Sequence, residues 1–377
     1  MTIRIDNGPA PIMHCLVSSP YGDVPADADK LDLPLECDPL KTPYRAYFQS
    51  IQTFLQQNEF NTIIKAAGEQ CGREVRLHEI GEIIIRAEKH GALYHPASLE
   101  LMLQEQRVKF GVNVAVSDPG RNWLKKEFST VQNINTRYKL PYLPQVYCFE
   151  EQETASFLLE EWFEGYHEFH LSRTESGKQL INLWEFGRGY TYLSEEQSFE
   201  IYRQASKILT LYYDMHDFCQ IYPWHHAAGD FIVRMNGGEL DVRLTTARQY
   251  DPYMVFHETE GVNPVIAFFY FFLNLTLKMR LDKLDGVGDT VWADDFCLDA
   301  SVKGFLDGLR LKDGLETCFG SEENCLDILK SFREGDLKTA YGPLIDTYKG
   351  SADYPVITTH LARHTEALCA TLRNCLS

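Results

Sequence analysis

Basic residues are scarce relative to acidic ones in this chain of 377 residues. Lysine and arginine total 36, aspartate and glutamate total 54, and the formal net charge is −18. A surface this acidic repels nucleic-acid phosphates and anionic membranes. The sequence therefore predicts no nucleic-acid partner and no membrane partner.

Long apolar runs are also missing. The longest is Val265–Leu277, which Asn274 and Thr276 interrupt. A transmembrane helix needs about 20 predominantly apolar residues, so this run is too short to cross a bilayer. The run predicts a buried helix instead.

The ten cysteines include no Cys-x-x-Cys pair. In a chain of this size, scattered cysteines indicate reduced, mostly buried thiols in a cytosol. The first thirty residues contain four aspartates and no basic n-region. We therefore expect no secretory signal and a cytoplasmic location.

The chain also lacks internal repeats and low-complexity tracts. Hydrophobic residues make up 44% of it, so 377 residues suffice for one large two-lobed domain or two ordinary ones. Composition and periodicity divide it into three parts. These are an irregular arm rich in Pro and Asp at 1–43, a helix plus β-rich lobe at 44–163, and a mainly helical lobe at 164–377.

The part at 44–163 is predicted to contain a helix, an antiparallel meander and a second helix. Apolar residues recur every three or four positions through Tyr44–Gln70, with Gly68 and Gly72 as stop signals. Alternating apolar residues then predict three strands with short connections, including a turn at 89–92. A break is expected at 118–121. The strands are predicted at 82–88, 93–103 and 107–117, followed by a helix at 122–137 and strands at 145–149 and 156–162.

Helical patterns predominate after residue 194. Ser194 and Gln197 have the spacing of a capping box at the start of an amphipathic helix. An Asn-Gly-Gly turn between Phe231–Met235 and Leu240–Thr245 predicts a β-hairpin. Residues 262–377 are again predicted to be mainly helical. The fold class is therefore α+β, with an antiparallel β N-terminal lobe and a mainly helical C-terminal lobe.

The segment Tyr222–Arg234 has an unusual composition, Tyr-Pro-Trp-His-His-Ala-Ala-Gly-Asp-Phe-Ile-Val-Arg. Solvated loops rarely contain Trp and Phe at this density, and core strands rarely contain Asp and two His. A short charged turn that opens a strand is a common place for chemistry, because a rigid element holds polar groups that the turn exposes. We therefore treat residues 222–250 as the candidate functional loop.

The order of these elements resembles the protein-kinase-like fold over roughly residues 75–345. Five strands with one helix after the third precede a hinge and a helical lobe that carries a loop and hairpin. The chain is most similar to the aminoglycoside phosphotransferases and to the bacterial lipopolysaccharide (Kdo/heptose) kinases. The resemblance implies ATP and Mg²⁺ as cofactors and phosphoryl transfer as the chemistry.

Within the loop, the resemblance assigns roles to four residues. Asp230, in Gly-Asp-Phe-Ile-Val, replaces the family's metal-binding Asn, so it is the candidate metal ligand. His225 stands five residues earlier, where the family has its general-base Asp. Thr245 replaces the Asp that holds magnesium, and Arg248 matches the Arg that follows it. These substitutions make the loop degenerate as a catalytic motif.

In the β-rich lobe, the resemblance implies a nucleotide site that is also degenerate. Glu127 matches the helix glutamate that pairs with a lysine of the third strand. The segment where that lysine belongs, 112–116, contains none, so Lys109 is the nearest candidate. The phosphate loop, near 89–94, carries a single glycine.

Each of these residues also has a purely structural interpretation. His225 and His226 act as base and metal ligand, or are hydrogen-bonded residues that brace the loop beside Trp224. Asp230 binds metal or caps its turn. Arg248 binds an anion or braces the loop by pairing with Asp251.

Three further features have similar alternatives. Glu127 is a charge partner or a solvated helix residue. Cys219 is a nucleophile or a structural thiol, and the latter is favoured because nothing nearby lowers its pKa. The aromatic run Phe268–Phe272 lines a ligand site or, as its uniform character favours, packs in the core.

Three functions follow from these alternatives. The favoured hypothesis is a catalytically impaired, pseudokinase-like protein that binds a small ligand or a protein partner in a regulatory or scaffold role. The alternative is an atypical ATP-dependent phosphotransferase acting on a sugar or other small hydroxylated molecule, with His225 as base and Asp230 on the metal. A hydrolytic metal site built from His225, His226 and Asp230 is the third.

Overall fold

A computed structural model describes residues 10–19, 22–88, 91, 93–104, 106–185, 189–253 and 263–376. The chain forms two compact units. Unit 1 comprises residues 1–139 and 144–164, and unit 2 comprises residues 140–143 and 165–377. The sequence placed the corresponding boundary between residues 163 and 164.

Unit 1 is built on a seven-stranded sheet. Its strands are β1 (Ile12–Val17), β2 (Val24–Pro25), β3 (Ile80–Ala87), β4 (His95–Leu103), β5 (Arg107–Ala115), β6 (Val146–Glu151) and β7 (Ser156–Glu161). Their order in the sheet is β2-β1-β3-β4-β5-β7-β6, and every neighbouring pair is antiparallel except β1 with β3. The helices are α1 (Ala28–Leu31), α2 (Tyr44–Gln56), α3 (Asn61–Cys71) and α4 (Asp118–Tyr138).

Alternation along β5 explains how one face of this sheet is buried. Val108, Phe110, Val112 and Val114 belong to one hydrophobic cluster that also contains apolar residues of α2 and α3. The ring of Phe54 in α2 stacks on the ring of Phe157 in β7, with 4.7 Å between the ring centroids. Since successive side chains of a strand point to opposite faces, the polar residues of β5 share the other face.

The structure corrects three predictions in unit 1. The arm at 1–43 was expected to be irregular, but β1 extends the sheet by pairing with β3 from Ile12 opposite Glu82 onwards. The helix predicted at 44–70 is two helices, because residues 58–60 adopt left-handed backbone conformations between them. The strand does end before 118–121, but the helix predicted to begin at residue 122 already begins at Asp118, where Ser117 caps it by accepting from the Gly120 N–H.

Unit 2 contains a five-stranded sheet, two two-stranded sheets and seven helices among the residues described. The strands are β8 (His167–Arg173), β9 (Gln179–Glu185), β10 (Gly189–Tyr192), β11 (Cys219–Tyr222), β12 (Phe231–Asn236), β13 (Glu239–Leu244), β14 (Gln249–Pro252), β15 (Leu281–Lys283) and β16 (Thr290–Trp292). The five-stranded sheet has the order β10-β9-β8-β12-β13. The helices are α5 (Glu195–Tyr212), α6 (Pro264–Lys278), α7 (Asp295–Arg310), α8 (Leu315–Phe319), α9 (Glu322–Ser331), α10 (Glu334–Asp346) and α11 (Tyr354–Leu376).

Several predictions in unit 2 are confirmed. Ser194 and Gln197 form the capping box of α5. The Asn-Gly-Gly turn joins β12 and β13 as an antiparallel hairpin. The run at 265–277 lies in the buried helix α6, and four of the five residues of Phe268–Phe272 are core residues. The sequence missed the other strands of unit 2, which are β8, β9, β10, β11, β14, β15 and β16.

The α+β fold class is confirmed by a β-rich first unit and a mainly helical second unit. In unit 1, α4 follows the third of the five strands that the sequence predicted. No helix among the described residues is long and apolar enough to span a membrane. All ten cysteines are free, but only Cys297, Cys325 and Cys369 are fully buried, fewer than expected.

Candidate functional site

The candidate loop lies between β11 and β12, and both of its ends are held in sheets. β11 pairs with β14, and β12 pairs with both β13 and β8. Between them, His226–Ala228 form one 3₁₀ turn, which ends at Gly229 with a φ of +71°. Glycine fits there because a side chain would be strained at that φ and would collide with the Glu168 carboxylate.

Asp230 is the most tightly held group of the loop. Its side chain is 2% exposed, and both carboxylate oxygens accept from Arg248, at 2.7 and 2.8 Å. The His225 backbone N–H donates to the same carboxylate at 2.9 Å. A bidentate, charge-assisted pair of this kind is strong and geometrically specific. The structure therefore brings Arg248 to Asp230, where the sequence suggested Asp251 as its partner.

This arrangement bears directly on metal binding. Mg²⁺ in proteins is usually held by carboxylates together with phosphates and water. The Asp230 carboxylate already pairs with the Arg248 guanidinium, whose positive charge occupies the position that a bound cation would take. No group of three or more His, Cys, Asp or Glu residues suited to a metal occurs in the described part of the chain. The donor set present does not fit Mg²⁺, and His225, His226 and Asp230 do not form such a group of ligands in this part of the chain.

His225 is half-buried and its ring has a defined tautomer. The Ala227 backbone N–H donates to Nδ1 at 3.0 Å, so Nδ1 must carry its lone pair there. Burial and the positive charge of Lys278 lower the pKa of His225, which favours the neutral ring. In a neutral imidazole the proton then lies on Nε2, which makes Nε2 a donor. A general base needs a free lone pair, and the lone pair of this ring is already used.

His226 is a core residue. It is fully buried, and the rings of Phe169, Tyr202, Trp224 and Phe231 lie 5.3–6.1 Å from its own. Burial lowers its pKa to about 3. The packing thus supports a structural role for His226 as a core ring, but not as the hydrogen-bonded brace that the sequence suggested, since neither ring nitrogen has a hydrogen-bond partner among the described residues.

Thr245 links the hairpin to the loop. Its hydroxyl donates to the Gly229 carbonyl at 3.0 Å, and its backbone N–H donates to the Asp230 carbonyl at 2.9 Å. The position that the resemblance assigns to a magnesium carboxylate therefore carries a hydroxyl used within the protein. Cys219 is half-buried on β11, with its thiol directed to the Asp217 carbonyl at 3.7 Å.

Lys278 belongs to this neighbourhood, although the sequence analysis gave it no role. It is the last residue of α6, and its Nζ lies 5.5 Å from the centroid of the Trp224 ring. Burial lowers the pKa of Lys278, and the charges of Asp353 and Asp230 act in the opposite direction. The same two aspartates influence the pKa of His225. A spacing rule could not find this lysine, because 48 positions separate it from Asp230 in the sequence.

In unit 1, the two predicted cofactor residues have separate partners. Lys109 is half-buried with its Nζ 4.5 Å from the Trp162 ring centroid, and burial lowers its pKa. Glu127 is 2% exposed and accepts from the Tyr94 hydroxyl at 2.8 Å, so the solvated interpretation of Glu127 is wrong. The phosphate loop near 89–94 lies partly outside the described residues, since 89, 90 and 92 are not among them.

Asn113 and Glu160 form a hydrogen-bonded pair in unit 1. Asn113 lies in the segment where the resemblance places a lysine, and its amide donates to the Glu160 carboxylate at 2.8 Å. Burial and the nearby charge of Glu127 raise the pKa of Glu160 well above its usual range. Unit 1 therefore presents an amide and two interacting carboxyl groups at these positions.

Three comparisons with known proteins complete the description. No protein-family model and no curated protein matches the chain. Among solved structures, the chain is similar to the crystal structure of a "Putative fructosamine-3-kinase" from Haemophilus somnus 129PT. The identity is 10%, the match covers 84% of this chain and 97% of that one, and the TM-score is 0.25. A TM-score this low carries no argument about function, so the function is proposed from the site itself.

Proposed function

We propose that the chain is a catalytically impaired, pseudokinase-like protein that binds a small ligand or a protein partner in a regulatory or scaffold role. The observation that carries the proposal is the bidentate pair of Asp230 with Arg248. Phosphoryl transfer depends on positioning and on charge neutralisation by metal and cationic groups. A carboxylate that a guanidinium already neutralises is poorly suited to recruit a metal for that purpose.

The state of His225 supports the same proposal. Its Nδ1 lone pair accepts a backbone N–H, and its other nitrogen carries the proton when the ring is neutral. The ring therefore offers a donor where phosphoryl transfer to a hydroxyl would require a base. Thr245 adds a hydroxyl where the resemblance implies a second carboxylate.

The alternative function is an ATP-dependent phosphotransferase acting on a sugar or other small hydroxylated molecule. When nucleotide binds, Arg248 would have to release Asp230. His225 would also have to give up the hydrogen bond that its Nδ1 accepts from the Ala227 N–H. Both changes break charge-assisted or buried hydrogen bonds, which costs free energy that nucleotide binding would have to supply.

Thermal unfolding of the purified chain with ATP, in the presence and absence of Mg²⁺, tests the proposal. A ligand that binds the folded state raises the melting temperature by mass action. We expect no metal-dependent rise at millimolar ATP and no phosphoryl transfer to sugars. A metal-dependent rise that Asp230→Asn abolishes, together with turnover of ATP, would establish the phosphotransferase instead.

A further inference from the structure

The five-stranded sheet of unit 2 has one edge that the protein covers itself. The Gln204 side-chain amide donates to the Leu240 carbonyl at 2.8 Å and accepts from the Val242 N–H at 3.0 Å. The Leu244 N–H donates to the Tyr142 carbonyl at 2.9 Å. These bonds occupy outward backbone groups of β13, and an edge strand whose groups are occupied no longer offers a template for pairing.

The opposite edge of the sheet, formed by β10, is open. Next to this strand, the Leu193 N–H donates to the Ile181 carbonyl of β9 at 2.9 Å. Bonded and non-bonded pairs alternate along antiparallel strands, so Thr191 bonds to β9 while Tyr190 and Tyr192 direct their N–H and C=O groups away from it. Four backbone groups therefore point outwards from β10, and none of them has a partner among the residues described.

The side chains along this open edge are exposed aromatic rings. Tyr190 is 62% exposed and Tyr192 is 48% exposed. Both rings lie on one face of the sheet, because a single residue separates them in the strand. The Tyr192 hydroxyl donates to the Arg173 carbonyl of β8 at 2.9 Å, so this ring reaches across β9 and is fixed. The strand has no charged side chain, and its edge is ordered without a partner.

We propose that β10 pairs with β10 of a second copy of this chain, antiparallel and about a two-fold axis at Thr191. In this register Tyr190 lies opposite the partner's Tyr192, and the symmetry creates the same pair a second time. Because both residues direct N–H and C=O outwards, each pair exchanges two hydrogen bonds and the two sheets join into one. The inference goes beyond the proposed function, since it does not depend on the chemistry of the loop.

Charge and symmetry favour a second copy over a different protein. A chain with a net charge of −18 attracts basic partners through acidic side chains, and β10 contains none. The same strand from a second copy meets no like charge at the contact, and one register satisfies all four outward groups. Repulsion between the two acidic chains acts at longer range and is screened by salt, so the dimer is stronger at higher ionic strength. A basic partner would show the opposite salt dependence.

The competing interpretation is that β10 is too short to hold two chains together. Natural proteins keep edge strands short for this purpose. The chain would then stay monomeric, and the hydrogen exchange of the outward N–H groups would not depend on protein concentration. The two interpretations therefore differ in a measurable property of the unmodified protein.

Sedimentation velocity of the full chain, from about 1 μM to about 1 mM and at two ionic strengths, measures the association. We expect a reversible monomer–dimer equilibrium whose dimer fraction rises with salt. Amide hydrogen exchange, followed by NMR on a chain labelled with ¹⁵N at tyrosine and threonine, locates the contact. Exchange at Tyr190 and Tyr192 should slow as concentration rises, whereas Thr191 should be protected at every concentration through its bonds to β9.

Tyr190→Pro tests the backbone contact. It removes one outward N–H from each copy and leaves the bonds of β10 to β9 in place, since that N–H takes no part in them. Two of the four hydrogen bonds across the interface are lost, so the Kd of the dimer should rise about tenfold or more. Tyr190→Phe keeps the N–H and the ring and should retain the dimer. Val287→Ser removes an apolar side chain that is 84% exposed elsewhere in unit 2 and should leave the Kd unchanged.

A wild-type chain that remains monomeric up to about 1 mM would overturn the inference. So would a dimer whose Kd is the same in Tyr190→Pro as in the wild type, or one that weakens in Val287→Ser instead. The exchange measurement needs no variant, so a folding defect in Tyr190→Pro does not remove the test. Concentration-independent exchange at Tyr190 and Tyr192 in a dimerising chain would place the interface on another surface.

Discussion

Arg248 binds both carboxylate oxygens of Asp230 in a pocket where the aspartate side chain is 2% exposed. The pair joins the start of β12 to the segment that follows β13, so it fixes the loop against the hairpin. One ion pair thereby accounts for two features of the site, a rigid loop and a carboxylate withdrawn from metal chemistry.

Arg248→Met is expected to destabilise the protein strongly. It leaves the buried Asp230 charge uncompensated, and breaking a buried pair in this way costs about 3–5 kcal/mol. Urea unfolding at neutral pH measures the loss. The double variant with Asp230→Asn should recover a large part of it, because no unpaired charge then remains. A loss below about 1 kcal/mol in the single variant would show that the pair is weak in solution.

Asp282→Asn is expected to stabilise the protein at alkaline pH. Asp282 is fully buried, and burial raises its pKa from 3.8 to about 7. Because the folded pKa lies above the unfolded one, the stabilising effect of the protonated group is complete below about pH 4 and is lost as pH rises through about 7. Above pH 8, Asp282→Asn is expected to raise the free energy of unfolding by at most about 4 kcal/mol.

The pH dependence of unfolding free energy checks this prediction. The difference between Asp282→Asn and the wild type should grow from pH 4 to pH 8. Asp289→Asn, at an exposed position in the same region, is the matched control and should show no such trend. A constant difference across this range would contradict the raised pKa of Asp282.

His226→Phe is expected to reduce acid sensitivity. The pKa of His226 is lowered from 6.5 to about 3, so the unfolded chain takes up the proton first as pH falls below 6.5. Stability contributed by the neutral ring is therefore lost progressively between about pH 6.5 and pH 3. Phenylalanine fits the same aromatic surroundings and has no such proton. The melting temperature should fall less between pH 7 and pH 4.5 in His226→Phe than in the wild type.

His216→Gln is the control for this experiment, because the His216 side chain is 91% exposed. Its acid sensitivity should match that of the wild type. His364 is fully buried with a pKa also lowered to about 3, so part of the acid loss should remain in His226→Phe. An equal fall in melting temperature in His226→Phe and in the wild type would contradict the lowered pKa of His226.

Glu160→Gln is expected to stabilise unit 1 at neutral pH. Burial and the charge of Glu127 raise the pKa of Glu160, so its ionised form is disfavoured in the folded state. The stabilisation that protonated Glu160 provides is lost as pH rises through its raised pKa, and glutamine removes that loss. Unfolding free energy measured at pH 5 and pH 8 tests this. A variant less stable than the wild type at pH 8 would show that Glu160 serves better as a carboxylate.

Local signals explain the parts of the fold that the sequence predicted. The Ser194–Gln197 capping box and the Asn-Gly-Gly turn are determined by residues a few positions apart, and both occur as expected. Strand β1 was missed because its pairing partner β3 lies about 70 residues away in the sequence, and proline and aspartate surround it. Non-local pairing leaves no periodic signal of its own in so short a segment.

In the candidate site, too, the sequence predicted features that depend on nearby residues and missed contacts between distant ones. His225 and Asp230 were found from the composition of one loop, and the Asp230 carboxylate does accept the His225 N–H. The partner of Arg248 was sought in the nearby Asp251, but the fold brings Asp230 to it from 18 positions away. Lys278 looked like the polar end of an apolar helix. Its position beside Trp224 follows from packing between distant segments.

Binding of Mn²⁺, followed by electron paramagnetic resonance with a non-hydrolysable ATP analogue present, tests the central claim most directly. If Arg248 keeps Asp230 from acting as a metal ligand, the wild type and Asp230→Asn should leave the same fraction of Mn²⁺ with the free nucleotide. Mn²⁺ bound by the wild type and released by Asp230→Asn would contradict the account and assign Asp230 to a metal site.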